Sequence, residues 1–246
     1  MAALLRYLPL LLIAIAWQTA STLQLVSTLA LPPLSDVAVA WWELLKSGEL
    51  ITNGASSLWR AGAGLFLSII IGATVGIAMA WWRPAQIVLG PLVEALYPLP
   101  KSALIPVTVI WLGFGDGSKI LLILLGCMLP IAIGAYNGAR GSDQALVWTA
   151  RSMGASRLRM LWDVVVPSAT PELLNGIRTA LALSFILLVS SELIVARSGL
   201  GYLIGALGAD GSYSAMYAVV LTVAFIGFAA DRAYQVFQNR MLRWQQ

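Results

Sequence analysis

"ARSMGASRLRMLWDVVVPSATPELLNGIR", residues 150–178, interrupts a chain that otherwise avoids charge. It holds Arg151, Arg157, Arg159, Asp163, Glu172 and Arg178, together with Gly154 and two prolines. So many charges belong in water. The runs on either side do not, and the contrast sets the organisation of the molecule.

The 246 residues are 59% hydrophobic and 11% charged, with a mean hydropathy of +0.84. A soluble domain carries about 25% charged residues and about 45–50% apolar ones, so a single membrane domain is the better account. The net charge of +4 suits loops that face anionic lipid. It does not indicate nucleic acid, because the basic residues form no aromatic-studded patch. One cysteine, Cys127, cannot form an intrachain disulfide, and the absence of histidine removes the usual zinc sites and most Ser-His or Cys-His catalysis.

A helical span needs roughly 20 mostly apolar residues. Four uncharged runs meet this, at 8–30, 61–82, 120–139 and 211–230. Two more are interrupted: 87–112 by Glu94 and Lys101, and 173–196 by Arg178 and Glu192. The expected fold is all-α with six transmembrane helices. The first run is longer than the 7–15 residues of a signal-peptide core and reads as a span.

Arginine sets the expected orientation. With Arg6 in the cytoplasm, Arg83, Arg140, Arg151, Arg157, Arg159, Arg232, Arg240 and Arg243 all lie inside, while segment 27–56 has only Lys46 against Asp36, Glu43 and Glu49. This is the positive-inside pattern, and it puts both termini and the loop at about 140–172 in the cytoplasm. In "LPPLSDVAVAWWELLKSGEL" (31–50), Ser35 or Asp36 can cap a helix with Val37, Trp41, Leu44 and Leu45 on one face. Such a helix either lies on the outer membrane surface or packs on the spans.

Within the opening stretch, Gly154 permits a sharp turn between two short helices. Ser156 can cap the second through its hydroxyl, and Pro167 discourages its continuation. Thr170-Pro171-Glu172 then reads as a new helix start. Met153, Leu158, Met160, Leu161 and Trp162 give this helix-turn-helix an apolar face in need of a partner.

These residues carry a family resemblance. "ARSMGAS…VVVPSATPELLNGIR" resembles the EAA loop of binding-protein-dependent ABC importer permeases. "SSLWRAGAGLFLSIIIGATVGIAMA" (56–80), "LYPLPKSALIPVTVIWLGFG" (96–115) and "SELIVARSGLGYLI" (191–204) look like the nitrate/sulfonate/taurine branch, in the family's order. The resemblance implies the type I importer permease fold in the bacterial inner membrane. It also implies that Ala150, Arg151, Met153, Gly154, Ala155, Ser156, Leu158, Leu161 and Pro167 couple to an ATPase. Two ATPase subunits, a second permease copy and an extracytoplasmic solute-binding protein follow from it, with ATP and Mg on the ATPase and no cofactor on this chain. The implied solute is a small anion such as a sulfonate, taurine or nitrate. One departure stands out: the family's Glu six residues before the loop glycine is replaced by Trp148, followed by Thr149 in place of Ala.

Elsewhere, "GFGDGSK" (113–119) lacks the spacing of a phosphate-binding loop. Pro98 and Pro100 between Glu94 and Lys101 argue for a broken helix, which at membrane depth can line a solute passage. Tyr97, Lys101 and Ser102 are candidates for that passage, with structural pairing as the alternative for Glu94 and Lys101. Ser190, Ser191 and Glu192 either line its outer vestibule or hold the "RSGLG" turn at 197–201. Arg178 reads as an interface anchor, Arg60 as anchor or ligand, and Gly62, Gly64, Gly72 and Gly76 as close-packing positions. The tryptophans read mostly as an interfacial belt. A stand-alone secondary transporter would show midplane carboxylates in inverted repeats, and an intramembrane enzyme would need a nucleophile and base at depth. Neither pattern is visible.

Overall fold

A computed structural model describes the backbone of residues 2–245 and the side chains of 8–244. Arg6, the first residue of the orientation argument, has its side chain outside that range. Among the described residues every regular element is helical. The α-helices are α1 (Ala2–Thr22), α2 (Leu34–Lys46), α3 (Glu49–Trp81), α4 (Arg83–Leu96) and α5 (Ile105–Leu112). They continue with α6 (Asp116–Arg140), α7 (Gln144–Ser152), α8 (Arg157–Met160), α9 (Val166–Val195), α10 (Leu200–Ala209) and α11 (Tyr213–Met241).

Helices α3, α6 and α11 and the continuous helical run Arg157–Val195 are long and apolar enough to cross a membrane. The third expected span is a broken pair: Arg83–Leu96 meets Lys101–Leu112 at 99°, as Pro98 and Pro100 suggest. The first expected span ends early, at Thr22 rather than Ala30. There Thr19 and Thr22 turn their hydroxyls back onto carbonyls of the preceding turn, and Ser21 and Trp17 instead bond Leu31 O and Pro32 O across the link that follows.

Helix α6 is the centre. Its Leu122, Ile123, Cys127 and Ile131 are fully buried and pack with Ala61 of α3 and with Leu174, Ile177, Ala180, Leu187 and Leu188 of α9. Close approach depends on glycine. A Cβ on Gly76 would lie 2.2 Å from Ala132 O, and one on Gly134 would lie 2.5 Å from Glu172 O. Gly64 and Gly72 face α6 in the same way, but Gly62 meets nothing within 4 Å. Of the four expected packing glycines, Gly62 is therefore on the open side of α3. Gly76→Ala should force α3 from α6 and lose about 1–3 kcal/mol, as overpacked sites do. Gly62→Ala should be neutral or slightly stabilising. Thermal unfolding of the purified protein in detergent compares the two.

A second cluster joins α2, α3, α10 and α11 through Val37, Leu44, Leu50, Leu200, Leu203, Ala218 and Val219. So α2 packs on α11, and the indole of Trp41 donates to Thr222 Oγ1 at 3.1 Å. Its N-terminus follows Pro33 and has no side-chain cap, unlike the Ser35 or Asp36 cap expected.

Two boundaries depart from local signals at the opening stretch. Neither Pro167 nor Thr170-Pro171-Glu172 marks a helix end or start, because the helix runs from Arg157 through Val195. Residues Leu161–Val165 adopt π-helical spacing, which widens the turn just ahead of Pro167. Pro171 sits inside α9, and Thr170 Oγ1 donates to Val166 O at 3.0 Å. A π-bulge is a common way to absorb a ladder defect. The loop thus runs into α9 as one continuous helical run through a π-helical turn.

Candidate functional site

Three features stand out along this frame: the loop at one end, the broken span with its groove, and a buried charge cluster at the other end.

The loop is built by local rules. Asp143 caps α7, its carboxylate accepting from Ala145 N at 2.8 Å. Helix α7 ends with Ala155 N donating to Ala150 O and Gly154 N to Arg151 O, both at 3.0 Å, with Gly154 at φ +79°. These paired bonds around a left-handed glycine are a Schellman termination. Ser156 Oγ then accepts from Arg159 N at 3.3 Å and starts α8. The apolar face divides in two. Met153, Leu158 and Trp162 are 83%, 66% and 62% exposed. Met160 is buried, and Leu161, expected on the docking face, packs on the cluster of Ala139, Val165 and Ala169. Met160 and Leu161 therefore fix the loop to the body, while Met153, Leu158 and Trp162 are presented outward. Leu146 and Trp148 of α7 are also exposed. Arg151 and Pro167 are exposed, and Ala150 and Ala155 half-buried.

At the broken span, the Lys101 ammonium donates to Leu96 O (2.8 Å), Tyr97 O (2.7 Å) and Leu99 O (2.8 Å). All three of its protons are used on carbonyls at and just beyond the end of α4, where a cation also meets the negative end of the helix dipole. Glu94 forms no ion pair with it. Beside α4 lies a groove of about 700 Å³, lined by Arg83, Gln86, Glu94, Tyr97, Tyr136 and Asn137 among others. Gln86 Nε2 donates to Tyr136 Oη at 2.6 Å. Of the expected passage residues, Tyr97 faces this groove. Ser102 is exposed outside it, and Ser190 lines a separate groove of about 520 Å³ between α9 and α11, together with Asp231. Arg178 grips Asp231 with two nitrogens, at 2.8 and 3.2 Å, and ties α9 to α11.

Ser191 and Glu192 are buried, at 1% and 0% exposure, and reach neither groove. The Glu192 carboxylate accepts from Arg60 Nη1 (2.7 Å), Ser57 Oγ (2.7 and 2.9 Å) and Gly201 N (3.0 Å). Arg60 also donates through Nε to Asp116 at 2.8 Å, through Nη1 to Ser198 O at 2.7 Å and through Nη2 to Ser198 Oγ at 2.8 Å. Leu200 N donates to Ser57 Oγ and Gly199 N to Asn53 Oδ1, each at 2.8 Å. Lys119, buried at 1%, donates to Phe114 O, and to Gly115 O and Val195 O at 3.1 and 3.3 Å. Sequence reasoning singled out Arg60 and Glu192 separately and missed their pairing. It met Lys119 only within a failed phosphate-loop pattern. An arginine at the edge of one apolar run and a glutamate inside another were the available signal.

The helical bundle thus presents an outward-facing apolar loop at one end beside a proline-broken span, an arrangement of a helical membrane subunit. Residues 64–243 match the binding-protein-dependent transport system inner membrane component family. The chain is 36% identical over 233 residues to the taurine transport system permease protein TauC of Escherichia coli K12, covering 93% of this chain and 85% of that one. It is 32% identical over 238 residues to the putative aliphatic sulfonates transport permease protein SsuC of Bacillus subtilis 168, covering 97% and 86%. Among solved structures, it is similar to an inward-facing MetNI methionine ABC transporter chain (TM-score 0.61, 23% identity, 78% of this chain and 97% of that one). It is also similar to an amino acid ABC transporter chain (TM-score 0.63, 13% identity, 82% and 97%). The chain belongs to the binding-protein-dependent transport system inner membrane component family, and is a multi-pass inner-membrane permease component of an ABC importer.

Proposed function

We propose that two copies of this chain form the passage of an importer for a small sulfonate-type anion. ATP and Mg²⁺ reside on two separate ATPase subunits, a solute-binding protein delivers cargo from outside, and both termini and the loop are cytoplasmic. The observation that carries the reading is the uninterrupted helix from Arg157 to Val195. At 1.5 Å per residue it is about 58 Å long, so displacement of α8 by an ATPase passes through the π-helical turn at Leu161–Val165 into α9. Met153, Leu158 and Trp162 fill an apolar cleft on that ATPase, and the rocking of α9 alternates access from one side to the other. The groove beside α4 supports a solute passage because it mixes an apolar wall with Arg83, Gln86 and Asn137, which can meet an anionic oxygen, and with the Glu94 carboxylate, which can meet a solute's cationic group. The sulfonate class rests on TauC and SsuC, whose names give taurine and aliphatic sulfonates as their cargo.

Reconstitution with the ATPase and binding protein provides the test. Vesicles should take up taurine or a short alkanesulfonate only when all three components and ATP are present. Uptake by the permease alone, driven by an ion gradient, would instead establish a secondary transporter. Orientation has its own measurement. Ala155→Cys in a Cys127→Ser background should react with an impermeant thiol reagent only after the membrane is opened. Labelling in intact cells would reverse the topology.

A further inference from the structure

The groove beside α4 holds an acid that no cation of the chain answers. We propose that Glu94 and Tyr97 form a subsite for zwitterionic amino sulfonates, the carboxylate taking the solute's ammonium and the phenol hydroxyl donating to its sulfonate. Glu94 thereby selects such solutes over simple alkanesulfonates. The proposal rests on the reading of this groove as the solute passage, and adds which sulfonates the passage prefers.

Helix periodicity places the two side chains together. Arg83, Gln86, Gly90, Glu94 and Tyr97 recur every three or four residues, so they occupy one face of α4, and all five line the groove. Tyr97 keeps helical dihedrals, φ −60° and ψ −48°, as the C-cap, so its Cβ lies about 5–6 Å from that of Glu94. Both side chains are exposed. Their depth follows from contacts with α6. Gln86 bonds Tyr136, in the last turns of α6. Beyond the other end of α4, a Cβ on Gly126, near the middle of α6, would lie 3.6 Å from Lys101 Cβ. Glu94 sits between these two levels, inside the span and not at a mouth.

An ionised acid at such a depth is costly without a partner. Glu94 has no ion pair among the described residues. The nearby cations are committed: Lys101 donates to the Leu96, Tyr97 and Leu99 carbonyls, and Arg140 Nη1 donates to Tyr136 Oη at 2.8 Å. Arg83 lies eleven residues back on α4, about 16 Å along the helix, too far for one small solute to reach from Glu94. The charge of Lys101 still acts. Its ammonium lies 5.9 Å from the centre of the Tyr97 ring, so the Tyr97 side of the subsite is positive and the Glu94 side negative. An amino sulfonate carries a dipole that matches, ammonium to acid and sulfonate to hydroxyl. A simple alkanesulfonate brings an anion to Glu94 and offers no ammonium in exchange. One residue thus supplies both an attractive and a repulsive element.

Taurine and propane-1-sulfonate differ by an ammonium against a methyl group. The reconstituted importer, with its ATPase and binding protein, is given each at concentrations that saturate the binding protein. That protein is the same throughout, so a change in uptake ratio between variants belongs to the permease. Glu94→Gln should lower the ratio of taurine to propane-1-sulfonate uptake by about tenfold or more, and Glu94→Asp should keep most of it. Equal loss of both solutes, together with poorer recovery of the complex, is the mark of a structural residue and overturns the proposal. A second measurement needs no binding protein. Gly90 lies one turn before Glu94, and a Cβ there meets nothing within 4 Å. In Gly90→Cys, made in a Cys127→Ser background, taurine should slow maleimide labelling of the purified permease–ATPase complex at about tenfold lower concentration than propane-1-sulfonate. Adding Glu94→Gln should remove that difference. Equal protection by the two solutes, or a preference that survives Glu94→Gln, overturns selection by Glu94 and leaves the groove as the passage. Protection by neither solute means that the passage lies elsewhere, and the reading beneath the proposal fails instead.

Discussion

Gly154→Val is expected to leave the permease folded in the membrane but to uncouple ATP hydrolysis from uptake. Gly154 sits at φ +79°, a region that a β-branched residue enters only under strain. A Cβ there would meet nothing within 4 Å, so the effect is conformational and not steric. Strain of about 1–3 kcal/mol per copy must be relieved by altering the Schellman turn, and the angle between α7 and α8 changes with it. Met153 then no longer presents alongside Leu158, and two altered loops act in each complex. Relief of that size corresponds to about tenfold or more in ATPase affinity, read as loss of co-purified ATPase and a raised ratio of ATP hydrolysed to solute moved. Gly154→Asn is the control, because asparagine tolerates the left-handed region. It should retain most coupling. If Val and Asn behave alike, the turn geometry is irrelevant, and if Val retains full uptake the loop is only a connector.

Lys101→Met should produce the second large loss, for a reason the structure changed. The sequence offered Lys101 either to the solute or to a structural pairing with Glu94. Its ammonium instead closes the break between α4 and the segment after it, satisfying Leu96, Tyr97 and Leu99 carbonyls. A carbonyl left without a partner away from water costs about 1–3 kcal/mol, and at the 99° bend the Tyr97 and Leu99 carbonyls lose theirs while Leu96 O keeps Leu99 N at 3.3 Å. Methionine keeps the length of the side chain and none of its donors. We expect uptake to fall by about tenfold or more, accompanied by a lower melting temperature of the purified complex. Lys101→Arg, which can still donate to several carbonyls, should recover much of both. Loss of uptake at unchanged melting temperature would return the ammonium to the solute passage, and no loss of either would make the cap dispensable.

Much of the fold follows from short-range signals. Apolar run length located the four long apolar helices, and Pro98 and Pro100 the bent pair, while the first run gave only a shorter apolar helix that ends at Thr22. Gly154 and Ser156 located the turn and cap of the loop, because a Schellman ending and an N-cap are each made within about one helical turn. Those features depend on neighbours a few residues away, so their causes are written side by side in the chain.

The remainder depended on partners far away in sequence. Helix α3 begins at Glu49, not near Arg60, because Asn53, Ser57 and Arg60 turn inward to Gly199, Glu192 and Ser198 and so tolerate burial. Hydropathy counts a charge as expensive wherever it falls, and only the fold shows that Glu192, 132 residues away from Arg60, neutralises it. The same applies to Lys119, which is held by Val195 O from another helix. Pro167 and Thr170-Pro171-Glu172 failed as boundaries for a related reason. Packing of Val165 and Ala169 on Ala139 and the π-helical turn before Pro167 outweigh a local preference of a few kcal/mol at most. Local propensity chose where the chain is helical, and tertiary packing decided where those helices end and which charges they keep.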